Sequence, residues 1–219
     1  MRLFTFFGVA VAVLSFGNIT NAQPTNVGGV WIVESGEAPD GSRYAGSVSF
    51  SPLDDRHIVS RQTPKGTSEG VGVYLGDAIG TAFGAGAAEL ALYRVGGGGV
   101  LEGVWIDESG NRGTERAVPA AEGGSVFTVS GVYPDNNGMY SGSLTIDERN
   151  ERLDLEWKLG TASSNGVGFR FGEYLVALRG AQSGYRALAL YVFKAGRADG
   201  AILVPSSDRL GSERLAKAR

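Results

Sequence analysis

Cysteine is absent from this chain, and histidine occurs only once, as His57. Without cysteine the chain can form no disulfide, offers no thiol nucleophile and has no N-terminal cysteine for lipid attachment. A zinc site or a histidine-dependent catalytic triad would have to be built around His57. We therefore expect a protein without enzymatic activity, without a metal and without a cofactor.

An excess of positive charge is also absent, because 20 lysines and arginines face 23 aspartates and glutamates, for a net charge of −3. Surfaces that bind nucleic acid or anionic lipid need clustered basic residues, and no segment here is rich in lysine. We expect no nucleic-acid partner. Glycine is abundant, with 35 residues, which suits short strands and tight turns.

Long apolar runs are limited to residues 3–16, LFTFFGVAVAVLSF, which follow the positively charged Arg2. This pattern predicts a secretory signal peptide over residues 1–22, with cleavage between Ala22 and Gln23. A membrane-spanning helix needs about 20 apolar residues, more than this run supplies. We expect a periplasmic or secreted protein that does not span a membrane.

The rest of the chain contains one pattern twice. Residues 44–51, YAGSVSFS, match residues 140–147, YSGSLTID, at a spacing of 96 positions. Other matched segments follow in the same order: 30–33 with 126–129, 70–73 with 166–169, 90–93 with 188–191, and 113–117 with 211–215. Chance does not preserve order and spacing over so many segments. The two copies span 28–118 and 124–217, and residues 119–124, PAAEGG, are typical of a linker.

Each copy alternates apolar and polar residues, as half-buried strands do. In the second copy, Tyr140, Leu144 and Ile146 share one face of such a strand. Glycine-rich turns separate the alternating runs, which predicts an all-β fold with roughly six to eight short antiparallel strands per copy, connected as a meander.

A meander of this length buries its apolar face most simply by closing into a barrel, which also removes exposed strand edges. Each copy could close its own barrel, or both copies could share one. We favour two tandem barrel-like units, similar to calycin barrels, with one unit for each copy.

The first copy carries a series of motifs: Pro39-Asp40-Gly41, Tyr44 to Phe50, Gly70-Val71-Gly72, Leu90 to Tyr93, Leu101 to Trp105 and Gly113 to Arg116. The second copy departs from the series at Ala198 to Ile202, where LEGVW has become ADGAI. The series resembles a repeat of exported bacterial proteins that are often labelled fibronectin-binding or hypothetical. This resemblance covers nearly all of the mature chain, implies an extracellular protein such as a matrix protein as a candidate partner, and brings no catalytic residue.

The two copies disagree at one informative place. At a spacing of 96 positions, His57 and Arg61 correspond to Leu153 and Trp157. If both polar side chains point inward, they need an anion, a carboxylate or water beside them, because an unpaired buried cation is strongly unfavourable. A one-residue shift that turns Ile58 inward would leave both in solvent. We favour the shifted register and keep His57 and Arg61 as the candidate ligand-binding residues.

Other recurring residues fit a structural role. The adjacent pairs Glu115-Arg116 and Glu213-Arg214 predict a solvated final strand in each copy. Recurring tyrosines predict core positions: Tyr44, Tyr93, Tyr140 and Tyr191. The Gly-Val-Gly motifs predict bulges or close strand packing, since a phosphate loop needs a helix after it.

These features together favour an exported, non-enzymatic binding module. Its ligand would be a small apolar or anionic molecule, or an extracellular protein. An outer-membrane β-barrel and a small-barrel enzyme that uses carboxylates are the alternatives. The sequence leaves the ligand and the oligomeric state open.

Overall fold

The computed structural model describes residues 27–54, 56–84, 89–107, 109–133, 138–180 and 185–218. The expected signal peptide, residues 1–22, lies outside these ranges. The described chain is almost entirely β-strand, with a short 3-10 turn at Gly97–Gly99, which confirms the all-β prediction. Among the described residues there is no helix long and apolar enough to cross a membrane.

In the part of the chain that the structure describes, eight strands fall in each copy of the repeat. In the first copy they are β1 (Gly29–Glu37), β2 (Arg43–Leu53), β3 (Arg56–Thr63), β4 (Gly66–Leu75), β5 (Ala78–Phe83), β6 (Glu89–Val95), β7 (Leu101–Ile106) and β8 (Arg112–Pro119). In the second copy they are β9 (Val126–Val132), β10 (Met139–Arg149), β11 (Arg152–Leu159), β12 (Ala162–Phe171), β13 (Tyr174–Arg179), β14 (Ala187–Lys194), β15 (Arg197–Leu203) and β16 (Gly211–Lys217).

These strands form two closed antiparallel barrels, which confirms two barrel-like units. The first barrel has the strand order β1-β16-β15-β14-β5-β4-β3-β2, and the second barrel has the order β10-β11-β12-β13-β6-β7-β8-β9. Replacing each strand by its counterpart in the other copy converts one order into the other. The barrels are therefore equivalent in topology as well as in sequence pattern.

The barrels do not follow the repeat boundaries 28–118 and 124–217. The first barrel combines β1–β5 from the first copy with β14–β16 from the second, and the second barrel combines β6–β8 with β9–β13. Strand β5 pairs with β14 through Ile79 and Tyr191, and β6 pairs with β13 through Ala91 and Ala177. Neither copy closes a barrel by itself, because each gives its last three strands to the other barrel.

The predicted linker at residues 119–124 is a hairpin loop inside the second barrel. It joins β8 to β9, which are paired neighbours. The Ala120 amide donates to the Val126 carbonyl at 2.8 Å, and the Gly124 amide donates to the Ala121 carbonyl at 3.0 Å. The connections between the barrels instead follow β5 and β13.

Within the described ranges, buried apolar residues form three clusters. One fills the first barrel and includes Phe50 and Tyr191. Another fills the second barrel and includes Trp157. The third lies between the barrels, where outward residues such as Leu190 on β14 and Val176 on β13 pack together. Strands along this interface are therefore buried on both faces, which locks the two barrels side by side.

On strand β12 the large side chains face the other barrel, and the glycines face the inside of the second barrel. Val167 and Phe169 belong to the cluster between the barrels, so they point out of the second barrel. Gly166 and Gly168 pair with inward-facing strand positions of β11. A Cβ atom on Gly168 would lie 2.4 Å from the Val176 carbonyl oxygen. This confirms close strand packing at the Gly-Val-Gly motif.

Candidate ligand-binding site at the mouth of the first barrel

One end of the first barrel contains a cavity of about 300 Å³, which we call the first mouth. The ends of β1, β3, β5 and β15 meet the starts of β2, β4, β14 and β16 there. Its apolar lining includes Pro39, Pro64, Phe83, Ala187, Ile202 and Val204; its charged lining comprises Arg43, Arg61, Lys65, Arg186 and Glu37. The first mouth thus combines an apolar wall with a mainly basic rim.

Arg61 forms the polar floor of the first mouth. Its Nε donates to Glu213 Oε1 at 2.9 Å, and its Nη2 lies 2.8 Å from the same oxygen. Its guanidinium carbon lies 5.1 Å from the centre of the Tyr44 ring. The ion pair and the aromatic contact fix the plane of the guanidinium. The side chain remains 16% exposed, so the cavity reaches it.

Glu213 lies directly beneath Arg61 and is fully enclosed. Tyr44 donates its hydroxyl to Oε1 at 2.7 Å, and Tyr191 donates to Oε2 at 2.7 Å. Burial, followed by the negative charge of Glu213, raises the pKa of Tyr44 and of Tyr191 above the ordinary range. Both hydroxyls therefore stay protonated and act as donors. Each carboxylate oxygen has a partner, as a buried charge requires.

The rim of the first mouth carries more positive than negative charge. Arg43, Lys65 and Arg186 are exposed. Among the described residues, none of these three cations forms an ion pair. Glu37 on the rim and Asp40 close to Lys65 offset only part of this charge. The rim therefore carries a small excess of positive charge, which favours the approach of an anion.

The structure keeps the register that turns His57 and Arg61 inward, so the shifted register was wrong. His57 is 1% exposed, whereas Ile58 is 36% exposed. The two candidates do not meet, because positions that are four residues apart on a strand are about 13 Å apart. His57 lies at the start of β3, toward the opposite end of the barrel, edge-on to Tyr74 at 5.7 Å between ring centres, and burial lowers its pKa. Only Arg61 lines the first mouth.

The second barrel repeats the polar cluster without a cation on it. Glu115 accepts hydrogen bonds from Tyr93 at 2.6 Å, Tyr140 at 2.9 Å and the indole Nε1 of Trp157 at 3.2 Å. Burial, followed by the charge of Glu115, raises the pKa of both tyrosines. Trp157 occupies the position of Arg61, so a neutral donor replaces the guanidinium.

The equivalent mouth of the second barrel is filled by aromatic rings. Trp105 stands where the first barrel has Ile202, and its ring packs against Tyr133 at 6.1 Å between centres. Tyr133 in turn packs against Tyr140 at 4.9 Å. A Cβ atom on Gly113 would lie 2.3 Å from the Trp105 ring. Glycine at this position leaves room for the indole that closes the barrel.

An ion pair lies beside these aromatic rings at the second mouth, and we call the rings and the ion pair together the plug. Arg179 and Glu89 stand where the first barrel has Phe83 and Ala187 and form a close, largely buried salt bridge. Burial raises the pKa of Glu89 to about 7, with Arg179 acting in the opposite direction. These described side chains therefore take up space at the second mouth that is open at the first.

The glutamates of the polar clusters were missed by sequence reasoning. Glu115 and Glu213 are each 3% exposed, so the predicted solvated strand was wrong for them. Only the arginines of these pairs point outward: Arg116 pairs with Glu102 at 3.1 Å, and Arg214 pairs with an acidic residue of β15 at 3.2 Å. The available signal was the row Gly113-Glu115-Ala117, where the glutamate alternates with small residues.

No family model, curated protein or solved structure matches this chain.

Proposed function

We propose that this chain is an exported, non-enzymatic binding protein whose first mouth holds a small molecule. The contrast between the mouths carries the proposal. The chain forms the same barrel twice, but the two mouths differ. Trp105 and Trp157 of the second barrel correspond to the smaller Ile202 and the charged Arg61 at the first mouth. A volume of about 300 Å³ is at the lower end of the range of about 300–1,000 Å³ for small-molecule sites.

The lining suits an amphipathic ligand. Phe83, Ala187 and Ile202 offer apolar contact, and Arg61 provides fixed polar donors at the floor. Binding sites for small molecules usually combine a largely apolar wall with a few oriented polar groups. Export is supported by the signal-peptide pattern of residues 1–22.

Filling the first mouth tests the proposal. Octanoate, 1-octanol and octylamine share one alkyl chain, and we expect at least one of them to bind the purified protein in isothermal titration calorimetry. The substitution Ile202→Trp copies the plug residue Trp105 and should weaken that binding at least tenfold by occupying the cavity. Ala187→Leu, a smaller filling, should weaken it in the same direction.

The matched control is Ile58→Trp, which makes the same exchange on the outer surface of the first barrel, where Ile58 is 36% exposed. It should leave binding unchanged, and thermal melts should show that all variants are folded. Failure of all three probes to bind, or full binding by folded Ile202→Trp and Ala187→Leu proteins, would contradict the proposal.

A further inference from the structure

Granted the proposed function, we infer that the ligand of the first mouth is a short organic anion whose acidic group binds the unoccupied edge of the Arg61 guanidinium. A guanidinium presents its N–H groups in a planar fork that matches a carboxylate or a phosphate. In Arg61, Nε and Nη2 face Glu213. The remaining amino group, Nη1, makes no hydrogen bond to any described residue.

Arg61 is held ready for such a partner. Glu213 fixes one edge of the guanidinium, and the Tyr44 ring lies against its face. Because the orientation is set before the ligand arrives, little side-chain entropy is lost on binding. Glu213 also balances the charge of Arg61, so the empty barrel does not contain an isolated buried cation.

The charged rim attracts an anion, which the neutral Arg61–Glu213 pair does not do over a distance. Arg43, Lys65 and Arg186 surround the opening, opposed by Glu37 on the rim and by Asp40 near Lys65. The excess positive charge favours anions over cations and neutral molecules. This preference should weaken as the ionic strength rises, since the rim is exposed to solvent.

The apolar part of the ligand must be short. Phe83, Ala187 and Ile202 provide an apolar wall near the opening. Below them, Tyr191 and Phe50 are fully buried and pack edge to face with 5.6 Å between ring centres. A long alkyl chain would have to displace this core, whereas a chain of modest length can lie along the wall.

The described residues of the second barrel present a different arrangement. Trp157 replaces Arg61, and Arg179 pairs with Glu89 and keeps its Nη1, which has no hydrogen-bond partner, buried away from solvent. One anion per chain is therefore the expected stoichiometry.

The experiment compares the same three probes on the full mature chain. Octanoate should bind at least tenfold more tightly than 1-octanol, and octylamine should bind most weakly. Arg61→Gln should abolish the preference for octanoate while changing the affinity for 1-octanol less than twofold. Glutamine keeps a neutral N–H donor near Glu213, as Trp157 does near Glu115, so the variant is expected to fold.

Arg214→Gln is the matched control, because Arg214 is an exposed arginine on the outside of the same barrel. It should leave the order of the three probes unchanged. Equal binding of octanoate and 1-octanol by the wild type would overturn the inference while leaving the proposed function intact. Retention of the octanoate preference by folded Arg61→Gln protein would also overturn it, whereas failure of every probe would remove both.

Discussion

The two barrels have the same strand order and the same buried polar cluster, but the residues at their equivalent mouths differ. Both place a buried glutamate beneath two tyrosine hydroxyls, with Glu213 in the first barrel and Glu115 in the second. Around this constant cluster, Arg61 replaces Trp157 and Ile202 replaces Trp105. The comparison teaches that the glutamate–tyrosine cluster belongs to the architecture of the barrel. The proposed capacity to hold a ligand depends on the residues above it.

The largest expected effect concerns which part of the chain folds alone. Residues 89–180 contain all the strands of the second barrel, whereas residues 124–217 contain five strands of one barrel and three of the other. We expect 89–180 to give a β-type circular dichroism spectrum and a cooperative melt, and 124–217 to remain unfolded. The stability of 89–180 should be marginal, because the cluster between the barrels becomes exposed.

Residues 28–118 serve as the second incomplete fragment and should behave like 124–217. A folded, monomeric 124–217 would show that β13 can pair with β14 and that a copy can close on itself. That result would show that a copy can fold without exchanging strands with the other copy.

The next effect separates the two glutamates. Glu213→Ala leaves the Arg61 cation without its buried partner, which typically costs about 3–5 kcal/mol of the free energy of unfolding. Glu115→Ala leaves neutral donors unpaired, and we expect a smaller loss of about 1–3 kcal/mol. Urea denaturation of both variants measures the difference. Arg116→Ala and Arg214→Ala, which break exposed pairs, are controls that should each change stability by less than about 1 kcal/mol.

The difference between the two glutamates should disappear in a variant that lacks the Arg61 cation. In an Arg61→Trp protein the first barrel acquires the pattern of the second, so Glu213→Ala should then cost about as much as Glu115→Ala. Equal losses for both glutamates in the wild-type background would show that the charge of Arg61 does not distinguish the clusters.

The smallest effect is a pH dependence that belongs to the second mouth alone. Burial raises the pKa of Glu89 to about 7 from an ordinary value of 4.5, against the opposing effect of Arg179 and with Glu115 and Asp107 adding to the rise. The folded state therefore binds the proton more tightly than the unfolded state does. Stability from this group is present below pH 4.5 and is lost as the pH rises to about 7.

We expect this loss to be about 1–3 kcal/mol and to disappear in Glu89→Gln, measured by urea denaturation across that pH range. His57 acts in the opposite direction, since burial lowers its pKa and its contribution is lost as the pH falls. The difference between wild type and Glu89→Gln isolates Glu89. Parallel pH profiles for the two proteins would refute the assignment.

Much of the architecture could be predicted because it depends on local patterns. Alternation along 140–147 predicted a strand whose Leu144 and Ile146 face one side, and both are buried in β10. The recurrence of Tyr93 and Tyr191 predicted core positions, and both rings are buried. Alternation identifies two faces, however, and does not say which face is inside.

That ambiguity explains what sequence reasoning could not supply. On β12 the larger residues Val167 and Phe169 face the other barrel, so size alone would point the wrong side inward. The exchange of strands was also hidden, because β6 and β14 carry the same LALY sequence and either could pair with β5. Only the path of the connections decides between these partners, and residues 85–88 and 181–184 in those connections lie outside the described ranges.

The pairing of β1 with β16 in the first barrel determines the order in which the two barrels can close. Strands β6 to β13 are contiguous in the chain, so the second barrel can close without the C-terminal strands. The first five strands cannot close a barrel until β14–β16 are available. Until then β1 and β5 carry open edges, and the first mouth is incomplete. A chain truncated before Gly211 would therefore contain all strands of the second barrel and lack a complete first mouth.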